Sequence, residues 1–225
     1  MSTETNVTTT QKSHRSLGRA ICIDSPFYIF AKRLFDIIFS LIALILLIPL
    51  FLVVSIAIKI DSPGPLLFWQ YRLGKDGKPF RFYKFRSMTS AAPDLRADLA
   101  KMNEASGPVF KIRRDPRMTR VGRFIRKYSI DELPQLMHVL TGEMSLVGPR
   151  PPIPHEVEQY EAWQRERQAV KPGLTCIWQV SGRSDLTFEQ WVNLDVQYVR
   201  TRNFWLDLKL LVLTIPAVIT GRGAY

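Results

Sequence analysis

The chain has 225 residues, 46% of them hydrophobic, and a formal net charge of +11. This length allows one well-buried core with a small appendage, and the positive charge favours anionic partners: nucleic acid, phospholipid headgroups or phosphorylated substrates. The two cysteines and three scattered histidines exclude a disulfide framework and a zinc site of the usual spacing. The chemistry-bearing part is therefore expected in the reducing cytoplasm.

Residues 1–20 are polar and rich in Ser and Thr, which predicts a disordered arm. Residues 37–58 then form an apolar block without a charge, roughly 22 residues and long enough to cross a bilayer at about 1.5 Å per residue. By hydropathy alone the block predicts a spanning helix. Its presence favours phospholipid headgroups or phosphorylated substrates over nucleic acid.

Two features of the apolar block favour a different path. Pro49 lies near its middle, where it removes one helical hydrogen bond and clashes with the preceding turn. Basic residues flank both ends, with Lys32 and Arg33 before the block and Lys59 after it. Because positive charge marks the cytoplasmic side, a helix that bends at Pro49 and returns to the same face satisfies both flanks. Asp36 is expected to pair with Arg33 or to cap the helix.

Short strands are predicted at residues 66–71 and 80–85, around a turn at residues 75–78. The apolar segment 205–219 contains Pro216 and is expected to pack on the core or to lie in a membrane interface. Residues 118–127 alternate apolar and basic side chains, which suits either a helix on an anionic membrane surface or an ordinary surface helix with a solvated basic face. Helices are predicted at residues 91–103, 118–127, 156–170 and 187–200.

Two adjacent carboxylates, Asp131 and Glu132, follow a dense basic run at residues 111–127. Ser129 and Glu132 match a capping box, which is the purely structural interpretation, although Pro134 fits poorly beyond a first helical turn. The functional interpretation uses the same helix start, whose N–H groups and dipole favour a phosphate and ionised carboxylates. Asp131 would then be a nucleophile on phosphorus, and Glu132 would hold Mg²⁺.

Three short basic segments accompany the acid pair. In Gly148-Pro149-Arg150-Pro151 the backbone is fixed on both sides of Arg150. This segment is either a rigid turn with an exposed arginine or a preset guanidinium fork for a bidentate phosphate contact. The same two interpretations apply to Lys84 and Arg86 in residues 84–88, and to Arg183 in residues 181–184. Together with the acid pair, these segments indicate chemistry on a phosphate.

From about residue 30 to the C-terminus the chain resembles the bacterial sugar transferases, which are monotopic polyprenyl-phosphate phosphoglycosyl transferases. The ending at residues 205–225 resembles members that start exopolysaccharide synthesis. Because the N-terminal multi-span region of longer relatives is missing from this sequence, we expect the minimal catalytic form. The remaining matching stretches are KRLFDII (32–38), SPGPLLFWQYRLGKDGKPFRFYKFRSM (62–88), SIDELPQL (129–136), GEMSLVGPRP (142–151), KPGLTCIWQVSGRSDLTF (171–188) and LDVQYV (194–199).

The resemblance implies a re-entrant membrane helix rather than a spanning one. It also implies transfer of a sugar 1-phosphate from a UDP-sugar to undecaprenyl phosphate, with release of UMP. Asp131 is then expected to carry the phospho-sugar covalently, and Glu132 to bind Mg²⁺. Arg126 and Arg150 fall at positions expected to contact phosphate.

The chain departs from many of these relatives at two positions. Ile48 replaces a serine before the membrane-helix proline, which removes a hydroxyl that can bond a helix carbonyl and affects how sharply the helix bends. Cys176 replaces a glycine, which we interpret as a change in packing.

We therefore predict an α+β, mainly helical fold. A polar arm at residues 1–30 precedes a re-entrant membrane helix at residues 31–60, broken at Pro49, and a small cytosolic catalytic domain at residues 61–225 with interfacial amphipathic helices. The expected location is the cytoplasmic face of the bacterial inner membrane. The expected partners are a UDP-sugar (glucose or galactose), undecaprenyl phosphate and downstream glycosyltransferases.

Two other functions remain compatible with the residues. One is a glycosyltransferase that moves only the sugar and releases UDP. The other is a membrane-anchored basic module that binds nucleic acid or lipid without catalysis. Aromatic residues are not interleaved with the basic run as stacking on nucleic acid requires, so no nucleic-acid partner is expected.

Overall fold

The computed structural model describes residues 25–89, 92, 99–221 and 223. These residues are mainly helical with two small sheets, which confirms the predicted fold class in its coarse form. The strands are β1 (Leu67–Leu73), β2 (Pro79–Phe85), β3 (Ser145–Val147) and β4 (Gly173–Thr175). The helices are α1 (Pro26–Leu46), α2 (Ile48–Asp61), α3 (Arg120–Lys127), α4 (Leu136–Thr141), α5 (Pro154–Glu158), α6 (Ile177–Val180), α7 (Phe188–Thr201) and α8 (Phe204–Thr220).

Helices α1 and α2 form a bent pair with an angle of 59° between them. The break falls at Leu47, and Pro49 lies in the first turn of α2, where its missing N–H is tolerated. Within the described part of the chain, neither helix is long and apolar enough by itself to cross a membrane, whereas the pair together meets that criterion. The bend that was predicted at Pro49 lies at Leu47, and α1 begins at Pro26 rather than at residue 31.

Polar side chains of α1 hold it against the elements that follow. Arg33 donates hydrogen bonds to the carbonyl oxygens of Val139 (2.6 Å) and Leu140 (2.8 Å), and these two carbonyls belong to the last turn of α4, where helical acceptors run out of i+4 donors. Asp36 is buried and accepts a hydrogen bond of 3.0 Å from the Leu146 N–H. The predicted pairing of Asp36 with Arg33, or its capping of the helix, is therefore wrong, because both side chains serve backbone groups of other elements.

The first sheet is an antiparallel hairpin, in which β1 pairs with β2 from Leu67 opposite Phe85 to Leu73 opposite Pro79. It confirms the two predicted strands, and β1 runs two residues past its predicted end. The second sheet pairs β3 with β4 in parallel and was not predicted. Glycine is required at Gly173, the first residue of β4, because a Cβ there would lie 2.0 Å from the backbone nitrogen of Gly148.

The other predicted helices have mixed outcomes. Helix α3 confirms the helix predicted at residues 118–127, and α7 confirms the one at 187–200, with Thr187 as its N-cap. The single helix predicted at residues 156–170 is wrong, because α5 ends at Glu158 and a separate 3-10 helix occupies Trp163–Ala169. Most of the helix predicted at residues 91–103 lies outside the described residues.

The outer faces of α1, α2 and α8 carry an apolar surface. Phe27 is 78% exposed, Ile60 82% and Trp205 76%. The opposite side of α8 packs on the core through Leu210 and buries Asp207, which forms a 2.7 Å ion pair with Lys32. Exposed apolar area on three helices exceeds the scattered residues of an ordinary surface and indicates an interaction face.

Candidate active site

A cavity of about 640 Å³ opens among β2, the 130–135 segment, the 148–151 segment and the start of α7. Its wall includes seven arginine or lysine and five aspartate or glutamate side chains. The structure brings six of the residues singled out from the sequence to this wall: Lys84, Arg126, Asp131, Glu132, Arg150 and Arg183.

The acid pair lies on a 3-10 helix, Ile130–Gln135, that leads directly into α4. Pro134 explains why this segment is not α-helical, since it has no N–H to give to the carbonyl four residues earlier. The predicted capping box is absent: Ser129 adopts a left-handed conformation (φ 55°), and its hydroxyl accepts a hydrogen bond of 2.8 Å from Arg183. A short 3-10 segment also has a weaker dipole than the α-helix that was predicted. The negative charge of the acid pair and of a phosphate is therefore balanced mainly by the cationic side chains of the cavity.

The carboxyl group of Asp131 is buried, with 4% of the residue exposed. Burial, together with the neighbouring charge of Glu132, raises the pKa of Asp131 to about 6, while Lys84 and Arg126 act in the opposite direction. Asp131 is thus held beside an acid and two cations with little water around it. A carboxylate in such a setting is a stronger nucleophile than one in water, because less solvation must be removed when it reacts.

Strand β2 and helix α4 fix the position of the acid pair. The Tyr83 N–H donates a 3.1 Å hydrogen bond to Nε2 of His138, so Nδ1 carries the proton and donates to Glu143 at 2.6 Å. The His138 ring also stacks on Phe82. This connection sets β2 against the 130–135 segment and brings Lys84 to the cavity wall. Burial and the charge of Arg126 lower the pKa of Lys84 to about 8.

Arg150 shares an aromatic ring with a second, fully buried arginine. Its guanidinium carbon lies 5.7 Å from the centroid of Trp191, and that of Arg167 lies 5.1 Å from the same centroid. Arg167 also donates to the Arg150 carbonyl oxygen at 3.0 Å and forms a buried ion pair with Asp195. Both the backbone and the side chain of Arg150 are therefore restrained, as expected of a preset guanidinium.

Two predicted residues lie outside the cavity wall. Arg86 is buried and directs its guanidinium to the carbonyl oxygens of Pro63 and Ser62, so it stabilises the loop after α2 instead of reaching the cavity. Pro49 lies in the first turn of α2, just after the break at Leu47. Cys176, interpreted as a packing change, is fully buried and its thiol contacts Asp195 at 3.1 Å.

The structure adds residues that the sequence patterns missed. Arg72 is buried at the wall and donates to the Pro151 carbonyl oxygen at 2.7 Å. Lys111 lines the cavity, where burial and Arg150 lower its pKa to about 7. Trp178 and Trp191 line one side, where their rings are in contact with centroids 4.9 Å apart and planes inclined by 44°. These residues come from distant segments, so only the fold brings them together.

A divalent cation fits the acid pair. Magnesium ions usually bind proteins through one or two carboxylates and take their other ligands from water and substrate phosphates. Asp131 and Glu132 are adjacent in the chain, and both side chains line the cavity, which has room for a metal ion together with a substrate phosphate. Among the described residues no group of three or more His, Cys, Asp or Glu side chains could enclose a metal.

Comparison with known proteins places the chain in a family. A sequence model of the bacterial sugar transferase family matches residues 27–221. The galactosyl transferase CpsE of Streptococcus agalactiae serotype III (strain NEM316) is 46% identical over 200 residues, which cover 88% of this chain and 44% of CpsE. The exopolysaccharide production protein ExoY of Rhizobium meliloti (strain 1021) is 39% identical over 199 residues, covering 87% of this chain and 88% of ExoY.

A third relative is the undecaprenyl-phosphate glucose phosphotransferase of Komagataeibacter xylinus, which is 44% identical over 211 residues, covering 86% of this chain and 37% of that protein. The chain thus spans less than half the length of CpsE and of this phosphotransferase, and most of the length of ExoY. The chain belongs to the bacterial sugar transferase family, as its motifs predicted.

Proposed function

We propose that this protein is a phosphoglycosyl transferase, which moves a hexose 1-phosphate from a UDP-sugar to undecaprenyl phosphate and releases UMP. The observation that carries the proposal is the buried Asp131 carboxylate, which shares one cavity with Glu132 and with seven cationic side chains. The names of the relatives, one a galactosyl transferase and one an undecaprenyl-phosphate glucose phosphotransferase, support this class of substrates.

The proposed reaction has two displacements at one phosphorus atom. A carboxylate oxygen of Asp131 attacks the phosphorus that carries the sugar; the bond to the bridging oxygen breaks, and UMP leaves. An oxygen of the acceptor phosphate then attacks the same phosphorus and releases the Asp131 carboxylate, which gives a polyprenyl diphosphate sugar. In a single displacement the anionic acceptor phosphate would have to attack the anionic diphosphate of the donor directly. Covalent catalysis of this kind divides that reaction into two separate steps.

The cationic wall would bind and orient the phosphates throughout. Lys84 and Arg126 are close enough to Asp131 to oppose the rise in its pKa, so they can also draw a phosphate to it. Arg150 is restrained by Trp191 and suits bidentate contact with phosphate oxygens. A Mg²⁺ ion held by Glu132 would neutralise charge on the diphosphate and favour departure of UMP.

The same proposal places the bent helix pair in the membrane as a re-entrant segment. Exposed apolar residues on α1, α2 and α8 support this placement, and Lys32, Arg33 and Lys59 lie at the two ends of the apolar block at residues 37–58. Both Ser25, before α1, and Lys78, in the β1–β2 hairpin, would then face the cytoplasm. Cysteines introduced at the two positions should both resist a membrane-impermeant thiol reagent added from outside intact cells. Labelling of Ser25→Cys alone would establish a spanning segment.

Product identity tests the proposed reaction. The protein is incubated with undecaprenyl phosphate and either UDP-glucose or UDP-galactose, and the nucleotide released is separated by chromatography. UMP is expected with one of the two donors, and Asp131→Asn should release none. Release of UDP would instead support a glycosyltransferase that moves only the sugar.

A further inference from the structure

A second groove lies beside the active-site cavity. It has a volume of about 510 Å³, and five of its eight lining residues are cationic. Arg113 and Arg126 belong to the walls of both spaces, so the groove and the cavity are direct neighbours. We call this space the basic groove; its charged residues are Arg113, Arg114, Asp115, Arg123, Arg126 and Lys127.

The acidic side chain in the wall of the basic groove does not balance the positive charge of its five cations. Asp115 is the acid in its wall, and this carboxylate already binds the buried Arg117 through contacts of 2.6 and 2.9 Å. Arg113 has an ion pair with Asp185 at 3.8 Å. Arg114, Arg123 and Lys127 are exposed at the rim, so like charges gather there and an anion would relieve their repulsion.

The groove also lies at the base of the bent helix pair. Helix α3 supplies three of its cations, and the Val121 N–H of this helix donates a 2.8 Å hydrogen bond to Asp61 at the end of α2. Ile125 packs on Val54 and Ile58 of α2, while Phe124 points outward and is 59% exposed. Helix α3 therefore carries cations of the basic groove and also packs against α2, whose outer face is apolar.

We infer that the basic groove binds the phosphate monoester of the polyprenyl acceptor before it reaches Asp131. This inference rests on the proposed function, since it assigns a subsite to the second substrate. The donor is water-soluble and needs only the larger cavity, whereas the acceptor keeps its chain in the apolar phase and must arrive from the side of α2. Arg126 belongs to both walls and can contact the acceptor phosphate as it passes from groove to cavity.

Charge also separates this ligand from bulk phospholipid. A phosphate monoester carries about −1.5 to −2 near neutral pH, whereas the phosphodiester of phosphatidylglycerol carries a single negative charge. Several cations around one small space favour the more highly charged headgroup. The basic groove is therefore a selective site for the acceptor and not a general attachment to anionic membranes.

The test is direct binding in the absence of donor, where no turnover occurs. Undecaprenyl phosphate and undecaprenol are titrated separately into the whole chain in uncharged detergent micelles. The dissociation constant of undecaprenol divided by that of undecaprenyl phosphate measures the contribution of the phosphate. The Arg114→Gln/Arg123→Gln variant should lower this ratio about tenfold, as expected for the loss of two charge-assisted contacts. Both residues lie outside the active-site cavity wall. Arg120→Gln is the matched control, because Arg120 is exposed on the same helix and lines neither space.

An unchanged ratio in the double variant would overturn the inference. Two further arms address other phosphate sources. If millimolar inorganic phosphate displaces undecaprenyl phosphate completely, or if the variant loses binding only to phosphatidylglycerol vesicles, the assignment to the acceptor is also overturned. UMP release by the same preparations is measured separately: failure of the proposed function would abolish UMP in the wild type, whereas failure of this inference would leave the binding ratio of the double variant equal to that of Arg120→Gln.

Discussion

The guanidinium of Arg183 donates a 2.8 Å hydrogen bond to the hydroxyl of Ser129, and both residues have left-handed backbone conformations, with φ of 53° and 55°. Each costs about 1 kcal/mol or more for a residue with a Cβ. They come from segments 54 residues apart and meet at the wall of the cavity beside the acid pair. Strained backbone at this contact indicates that the position of Arg183 is maintained at some cost to stability.

Replacement of Ser129 separates the strain from the hydrogen bond. Ser129→Gly should preserve or raise the melting temperature, because glycine adopts positive φ without penalty, yet it should raise the donor KM about fivefold through loss of the hydroxyl. Ser129→Ala should raise the KM similarly and also lower the melting temperature. Arg183→Ala combined with Ser129→Gly should add little to Arg183→Ala alone. Fully additive effects on KM would show that the two side chains act independently.

Substitution of Asp131 should abolish activity and stabilise the fold. The folded-state pKa of about 6 lies above the ordinary value of 3.8, so the folded protein binds the proton more tightly than the unfolded chain. Ionised Asp131 therefore lowers stability as pH rises from about 4 to 6, and the cost persists above that range. In metal-free buffer at pH 8, Asp131→Asn is expected to gain about 1–3 kcal/mol in unfolding free energy, and the gain should shrink towards pH 4. A loss of stability at pH 8 would contradict the burial of a charged carboxylate.

Two lysines should set the alkaline limit of donor use. Burial lowers the pKa of Lys84 to about 8 and that of Lys111 to about 7. Since each loses its charge as pH rises through its pKa, kcat/KM for the donor should fall between pH 7 and 9. Lys84→Arg together with Lys111→Arg should flatten this limb, because arginine stays charged. Lys78→Arg, at an exposed position in the hairpin, is the control and should leave the pH profile unchanged. If kcat/KM of the double variant falls between pH 7 and 9 as it does in the wild type, the two lysines are excluded as the cause of the fall.

The ring of Trp191 should matter for donor binding through Arg150. Trp191→Leu removes the π face under this guanidinium and is expected to raise the donor KM about fivefold, whereas Trp191→Phe should recover most of the loss. The kcat at saturating donor should change less than the KM. If phenylalanine and leucine have equal effects, the contribution of Trp191 is one of packing volume and not of its interaction with Arg150.

The sequence located the acid pair and most of the cationic wall because these residues stand in short, distinctive segments. It could not place Arg86, since whether an arginine faces a cavity or a loop carbonyl depends on the packing of a distant segment. The spacing of Ser129 and Glu132 predicts a capping box, and this prediction is wrong. In the folded chain Ser129 has a left-handed backbone conformation and its hydroxyl binds Arg183, a residue from a distant segment. The β3–β4 sheet has only three residues in each strand, too few for a periodic signal.

The central claim is that Asp131 forms a covalent bond with the sugar phosphate before the acceptor takes part. The most direct measurement is rapid mixing of the enzyme with Mg²⁺ and its UDP-sugar without undecaprenyl phosphate, followed by nucleotide analysis and peptide mass spectrometry. A burst of UMP stoichiometric with enzyme is expected, with one hexose phosphate added to the peptide that contains Asp131. Formation of UMP only when both substrates are present, with no added mass on that peptide, would contradict the account and point to a single direct displacement.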